Sequence, residues 1–209
     1  MLNPILEENT AILQDTDFLT DIELDYVFAE IGKLKSSFSR DGYNNKKTIR
    51  DVYDPRYCGT QFITNPRSIL RSIWDKKFWN TYFDSLYENK DYSIKHSTFV
   101  QEGNVLLSAY SNEDYYGHHV DVDMGSIVTC VLMLCKEPKA FEGGSLYIED
   151  VEIPFKNNKL IVFPSCAPHA VGKVSLDSEK YFDQRFTLQY FISATSTKKQ
   201  LIDESNNIE

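Results

Sequence analysis

This chain has little of what marks several common protein classes. Its four cysteines, Cys58, Cys130, Cys135 and Cys166, are scattered, and no two form a CxxC pair. That spacing argues against a zinc ribbon, a thioredoxin-type redox motif or a disulfide framework, and fits reduced thiols in a cytoplasmic protein. Long apolar runs are missing. The longest, "IVTCVLMLC" over residues 127–135, falls well short of the roughly 20 residues that a membrane-crossing helix needs, so it reads as a buried strand and no membrane partner is expected. The opening "MLNPILEENT" lacks the basic and apolar regions of a secretory signal. Basic residues are outnumbered: 22 Lys and Arg against 31 Asp and Glu leave a formal net charge of −9. An acidic surface repels phosphate backbones, and no Lys/Arg cluster offsets it, so nucleic acid is not expected as a partner. No internal repeat or low-complexity segment interrupts the chain.

What is present is ordinary for a soluble globular protein: 42% hydrophobic and 25% charged residues in 209. The length suits one domain over 1–209, in three parts: 1–96, 97–195 and a polar tail, 196–209. The first part reads as mainly helical. Thr20 and Glu23 fit a capping box, with Leu19 and Leu24 as its hydrophobic staple. Leu24, Val27, Phe28, Ile31, Leu34 and Phe38 then fall on one helical face. The polar segment 39–60 reads as a loop, and a lid over a substrate is one use for it. Asn65-Pro66 opens a second helical region whose apolar face runs from Ile69 to Leu86 and includes Trp74.

From about residue 97 the texture changes. "STFVQEGNVLLSAY", "SIVTCVLMLCK", "GSLYIED", "KLIVFPS" and "RFTLQYFIS" are β-rich runs parted by turn signals such as Gly143-Gly144 and Asn157-Asn158. The Asn pair, between "VEIPFK" and "KLIVF", suits a tight hairpin. Many short strands at this spacing predict a mainly β sandwich or barrel with flanking α-helices.

The chemistry begins in "YYGHHVDVDMGS", residues 115–126. Side chains two apart on a strand share a face, so His119 and Asp121 project together while His118 and Val120 face the other way. Asp123 shares the Asp121 face but lies roughly 7 Å further along and reads as a structural or surface carboxylate. Alone, His-x-Asp is a weak pattern that half-exposed strands often show by chance. His169, just after a Pro-Ser-Cys-Ala-Pro turn, strengthens it. Two His and one carboxylate occupy one face of a metal ion and leave other positions open, the arrangement of non-haem Fe(II) oxygenases. A closed or Cys-rich set would suit zinc better. Cys166, near His169, reads as a small buried side chain, and His96 as unrelated to the metal.

The last strand supplies a further piece. Alternation puts Arg185, Thr187 and Gln189 on one face of "RFTLQYFIS" and Phe186, Leu188 and Tyr190 on the other. An inward Arg is costly unless a carboxylate pairs with its planar fork. A dicarboxylic co-substrate would supply one, with its other end on the metal.

At this point the sequence resembles the 2-oxoglutarate- and Fe(II)-dependent dioxygenases, specifically the prolyl 4-hydroxylase-like branch. The matching pieces are "YSNEDYYGHHVDVD", "FEGGSLYI", "LIVFPSCAPHAV" and "RFTLQYFI", in the family's order over roughly residues 97–193. The resemblance implies a double-stranded β-helix (jelly-roll) core with N-terminal helices packed on it. It implies Fe(II) on His119, Asp121 and His169, and 2-oxoglutarate on Arg185 with help from Tyr110 and Thr187. Tyr116, three before the first ligand, would line the substrate side. The segment "GKVSLDSEKYFDQ" lengthens the interval before Arg185 and leaves Lys180 as an alternative anchor. With Asp121 present, halogenation is disfavoured. The implied reaction consumes O2 and 2-oxoglutarate, releases succinate and CO2, and hydroxylates an unactivated C–H, with ascorbate as a candidate reductant. The substrate expected is a prolyl residue in a peptide or protein. The alternatives are a free amino acid or other small molecule, or a non-catalytic metal-binding jelly-roll module.

Overall fold

The computed structural model describes residues 3–6, 9–36, 56–57, 59–62, 70, 72, 100–101, 105–122 and 126–194. In chain order its elements are β1 (Asn3–Leu6), β2 (Asn9–Thr16), α1 (Asp21–Lys33), β3 (Arg56–Tyr57), β4 (Gly59–Phe62), β5 (Val100–Gln101), β6 (Val105–Tyr110), β7 (Tyr115–His119), β8 (Ser126–Leu134), β9 (Glu142–Gly143), β10 (Leu146–Ile148), β11 (Val151–Ile153), β12 (Lys159–Pro164), β13 (His169–Val171), β14 (Val174–Ser175) and β15 (Arg185–Ala194). A major sheet runs β1-β2-β12-β8-β15-β6-β4, with β5 also on β15. A minor sheet runs β11-β10-β13-β7-β3, and β14 pairs with β9. All of these pairings are antiparallel, as a jelly-roll requires.

Strand alternation splits the core in two. On the major sheet, Leu107, Cys130, Leu132, Leu134, Leu160, Phe186, Leu188 and Tyr190 join Val27, Phe28 and Ile31 of α1 in one apolar cluster. The opposite parity, Tyr110, Val131, Met133, Ile161 and Phe163, meets Leu146, Ile148, Val171 and Val174 in a second cluster. The first layer is helix on sheet and the second lies between the sheets. The run 127–135 is therefore buried on both faces, and only Ile127 in it is exposed.

The capping box forms as its spacing predicts. Glu23 N–H donates to Thr20 Oγ1 at 3.3 Å, and Thr20 N–H donates to Glu23 Oε2 at 2.7 Å. Asp21 and Glu23 near the N-terminus and Lys33 in the last turn also suit the helix dipole. Leu24 and Leu34 pack on the apolar cluster, and Phe28 meets Phe186 edge-on at 6.3 Å.

Three expectations are corrected. The segment 1–96 is not simply helical: β1 and β2 extend the major sheet along β12. Ile12 and Leu13 are buried in different layers, so β2 carries no one-faced helical stripe. The polar segment 39–60 is not all loop either. Arg56–Tyr57 pairs with Tyr115 and Tyr116, and Gly59–Phe62 pairs with Leu106 to Ala109, so each covers a sheet edge with backbone hydrogen bonds. Asn157-Asn158 closes no hairpin, because β11 and β12 belong to different sheets. Asn158 adopts φ +61°, and its amide group bonds both Leu19 N–H (2.8 Å) and Leu19 C=O (2.7 Å), tying the crossover to the start of α1. Of the second helical region, Leu70 is helical and fully buried. Ser72 is helical too, while Trp74, Trp79, Phe38, His96, Cys58, Asp123, the remainder of that region and the tail lie outside the described residues.

Candidate metal and co-substrate site

β7 and β13 are neighbours in the minor sheet, in a register that sets His119 opposite His169. Asp121 is the second residue after β7, and its N–H donates to Ser165 C=O at 2.9 Å. That bond ties it to the turn leading into β13. The ligating atoms of His119, Asp121 and His169 all lie within 4.8 Å of one another. Asp121 is 8% exposed and His169 2%. His118, as alternation predicts, is exposed and faces away.

The two imidazoles are oriented by the backbone. His119 Nδ1 lies 2.9 Å from Gly117 C=O, and His169 Nδ1 lies 3.0 Å from Ala167 C=O. A carbonyl can only accept, so both Nδ1 atoms must carry hydrogen, which aims each Nε2 at the site. His169 Nε2 is buried without a hydrogen bond, although Asp121 Oδ2 is 3.2 Å away. His119 Nε2 stands 3.5 Å from Asp121 Oδ1. Ring nitrogens this close to a carboxylate call for positive charge between them, supplied by a proton on the ring or by a metal ion. A divalent cation with nitrogen and oxygen ligands fits that need.

Thr129, in the middle of β8, completes the surroundings. Its hydroxyl donates to Asp121 Oδ2 at 2.7 Å. Burial alone would raise the Asp121 carboxyl; the two histidine side chains, the His169 charge and the Thr129 hydroxyl outweigh it and hold the group well below the ordinary carboxylate range. Tyr116 lies flat on His119, with ring centroids 3.9 Å apart and planes 11° from parallel. Phe163 meets His169 edge-on at 4.8 Å.

Arg185 opens β15 and faces the interior between the sheets with no exposed surface. Its Nε donates to Gly144 C=O at 2.9 Å, and Nη1 donates to Thr187 Oγ1. The guanidinium carbon lies 4.7 Å from the Tyr110 ring centroid and 5.4 Å from that of Phe155. Two polar contacts and two aromatic faces thus hold the fork in place. Tyr110 is directly opposite Arg185 in the β6–β15 register. Thr187 orients the arginine as well as lining the same face. Gly144 sits at φ +70°, and a Cβ there would come within 2.7 Å of Arg185 Cδ. Lys180, the other candidate anchor, is exposed before the short turn Tyr181–Asp183. Cys166 is exposed rather than buried, since the turn that carries it points it outward.

Sequence reasoning missed Thr129, Ser165, Gly144 and Phe155. Thr129 left a signal, as the one hydroxyl inside "IVTCVLMLC". A polar atom in such a run needs a buried partner.

Residues 105–193 match the family model described as the 2OG-Fe(II) oxygenase superfamily. The matched stretch, under half of the chain, is similar to that superfamily. Among curated proteins, the chain is 30% identical over 84 residues to a PKHD-type hydroxylase of Acinetobacter baumannii (strain AYE), covering 34% of this chain and 37% of that protein. A PKHD-type hydroxylase of Acinetobacter baylyi is 28% identical over 111 residues, covering 46% and 47%. The chain therefore spans less than half the length of these curated relatives. Among solved structures, a Pseudomonas putida prolyl-4-hydroxylase superposes with TM-score 0.63 at 16% identity, covering 89% of this chain and 94% of that one. A viral collagen prolyl hydroxylase from Paramecium bursaria Chlorella virus-1, solved as a 2OG complex, gives 0.60 at 16%, covering 90% and 98%. At that identity the likeness establishes the fold. Within the matched region, His119, Asp121 and His169 are the cluster of side chains among the described residues that could hold a metal ion.

Proposed function

We propose that this protein is a 2-oxoglutarate- and Fe(II)-dependent hydroxylase acting on prolyl residues in a peptide or protein. The observation that carries the reading is the buried His119–Asp121–His169 cluster, whose ring nitrogens face a carboxylate, inside a superfamily jelly-roll. These three side chains would hold Fe(II). Held there, the ion would supply O2 activation coupled to 2-oxoglutarate, by which one oxygen atom would enter the substrate C–H and the other the succinate, with release of CO2.

The chain's own residues bind and orient. Gly117 and Ala167 carbonyls hold the imidazoles in the ligating tautomer. Arg185 would take the distal carboxylate of 2-oxoglutarate, steadied by Thr187 and backed by Tyr110 and Phe155. Tyr116 would line the substrate side with the ring face turned away from His119. Tyr110, Met133 and Phe163 exclude water from the interior. The prolyl substrate is supported by the relatives and structural neighbours whose descriptions name PKHD-type and prolyl hydroxylases. A reducing cytoplasmic setting is supported by Cys130, Cys135 and Cys166, all free thiols. Among the described residues no helix is long and apolar enough to cross a membrane.

The test is anaerobic loading with Fe(II), then exposure to O2, 2-oxoglutarate and proline-containing peptides. Mass spectrometry should find succinate and a peptide heavier by one oxygen atom. Succinate with no peptide oxidation would redirect the search to small-molecule substrates. Bound iron without succinate under any substrate would overturn the enzymatic reading in favour of a binding module.

A further inference from the structure

We propose that Thr129 is a positioning residue for the metal: its hydroxyl fixes Asp121 as a one-oxygen ligand and keeps a coordination position open. The inference rests on the reading of His119, Asp121 and His169 as an iron site. It concerns how the protein prevents the carboxylate from chelating the ion with both oxygens, which would fill a position that O2 or co-substrate needs.

Three buried hydroxyls stand in a row behind Asp121. Thr129 Oγ1 is 2.7 Å from Asp121 Oδ2 and 3.0 Å from Ser165 Oγ, and Ser165 Oγ is 2.7 Å from Ser126 Oγ. Each hydroxyl has one proton. An ionised carboxylate only accepts, so the Thr129 proton is committed to Oδ2. Thr129 can then only accept from Ser165. Ser126 can donate to Ser165, or to the Val128 and Ile192 carbonyls at 3.0 and 3.2 Å. In every arrangement Thr129 donates to Asp121.

The neighbouring backbone makes this contact rigid. Thr129 and Ser165 have no exposed surface. Thr129 lies on central β8, between β12 and β15. Ser165 N–H donates to Ile127 C=O at 3.1 Å, and Ser165 C=O accepts Asp121 N–H at 2.9 Å. Oδ2 is thereby held by Thr129, 3.2 Å from His169 Nε2, while Oδ1 accepts from no hydroxyl among the described residues and faces His119 Nε2 at 3.5 Å. The Thr129 bond takes one of the two lone pairs of Oδ2 and fixes the rotation of the carboxylate, which weakens Oδ2 as a second ligand and favours coordination through Oδ1. Ser165 also joins the Asp121 ligand to the turn that carries His169, so one polar row supports both ligand segments.

The test compares metal binding by Thr129→Val, which keeps the branched shape and removes the hydroxyl, and Thr129→Ser, which keeps the hydroxyl. Metal-free protein is titrated anaerobically with Fe(II), and with Co(II), whose visible spectrum reports coordination number. Thr129→Val should bind about 10–100-fold more weakly, with an altered Co(II) spectrum, whereas Thr129→Ser stays near wild type. Wild-type affinity and spectrum in Thr129→Val would overturn the proposal, and so would equal weakening in both variants, which would mark a packing effect. If Thr129→Val does not fold, Ser165→Ala carries the test: a smaller loss of affinity in the same direction supports the proposal and an unchanged affinity overturns it. Failure of wild-type protein to bind either metal would instead sink the iron-site reading itself.

Discussion

The two faces of β15 make an instructive comparison, because they share one backbone and differ only by alternation. Phe186, Leu188 and Tyr190 face α1 in a wholly apolar layer. Arg185, Thr187 and Gln189 face the space between the sheets and are just as buried, at 4% exposure or less. Burying a guanidinium costs far more than burying a leucine unless its donors are met. The inner face offsets part of that cost with Gly144 C=O on Nε, Thr187 Oγ1 on Nη1 and two aromatic rings. The same contrast holds on β8, where Cys130 and Leu132 face the helix and Thr129 reaches Asp121. One face is built for cohesion. The other carries polar groups that an apolar core would not select, and one of them, Thr129, reaches the ligand cluster.

This contrast can be broken from either side. The largest expected effect is at the metal. Asp121→Ala should abolish Fe(II) binding and succinate formation, a larger loss than the ~10–100-fold typical of outer partners. Asp123→Ala should leave both intact, and calorimetric titration with metal distinguishes the two. Next comes the anchor. Arg185→Ala should weaken 2-oxoglutarate binding roughly ten- to hundredfold, the equivalent of about 1.5–3 kcal/mol for a charged hydrogen bond, while metal affinity holds. Gly144→Ala should act in the same direction by displacing Arg185 and by forcing a side chain to φ +70°.

On the helix-facing side the signs change. Leu188→Ala should cost about 2–5 kcal/mol of folding stability in a denaturant titration, with the metal dissociation constant unchanged. A shift in that constant would show that the two layers are not separable. The smallest effect is expected at the helix start: Thr20→Ala should cost about 0.5–2 kcal/mol, read as a lower Tm, through loss of the capping box.

Much of this was legible in the residues. Parity within a strand is a local property with period two, so His119 with Asp121, and Arg185 with Thr187, could be placed on common faces without knowing any neighbour. The Thr20–Glu23 box depends on three residues of spacing and formed as expected. The N-terminal strands were not legible. β2 lies between β1 and β12 in the major sheet and buries Ile12 and Leu13 on opposite faces, and its residues show neither a helical stripe nor a clean alternation. The polar edge strands β3 and β4 exist because two sheets need partners at their margins, a demand that arises only after the sheets form.

By itself, then, the sequence determined which side chains share a face, where α1 begins, and that two histidines, an aspartate and an inward arginine were available for one site. Only the tertiary structure decided that His169 stands opposite His119, that Gly144 makes room for Arg185, and that Thr129 and Ser165 stand behind Asp121. Those are meetings between strands distant along the chain. Their register is set by packing two layers at once, and no short-range pattern encodes it.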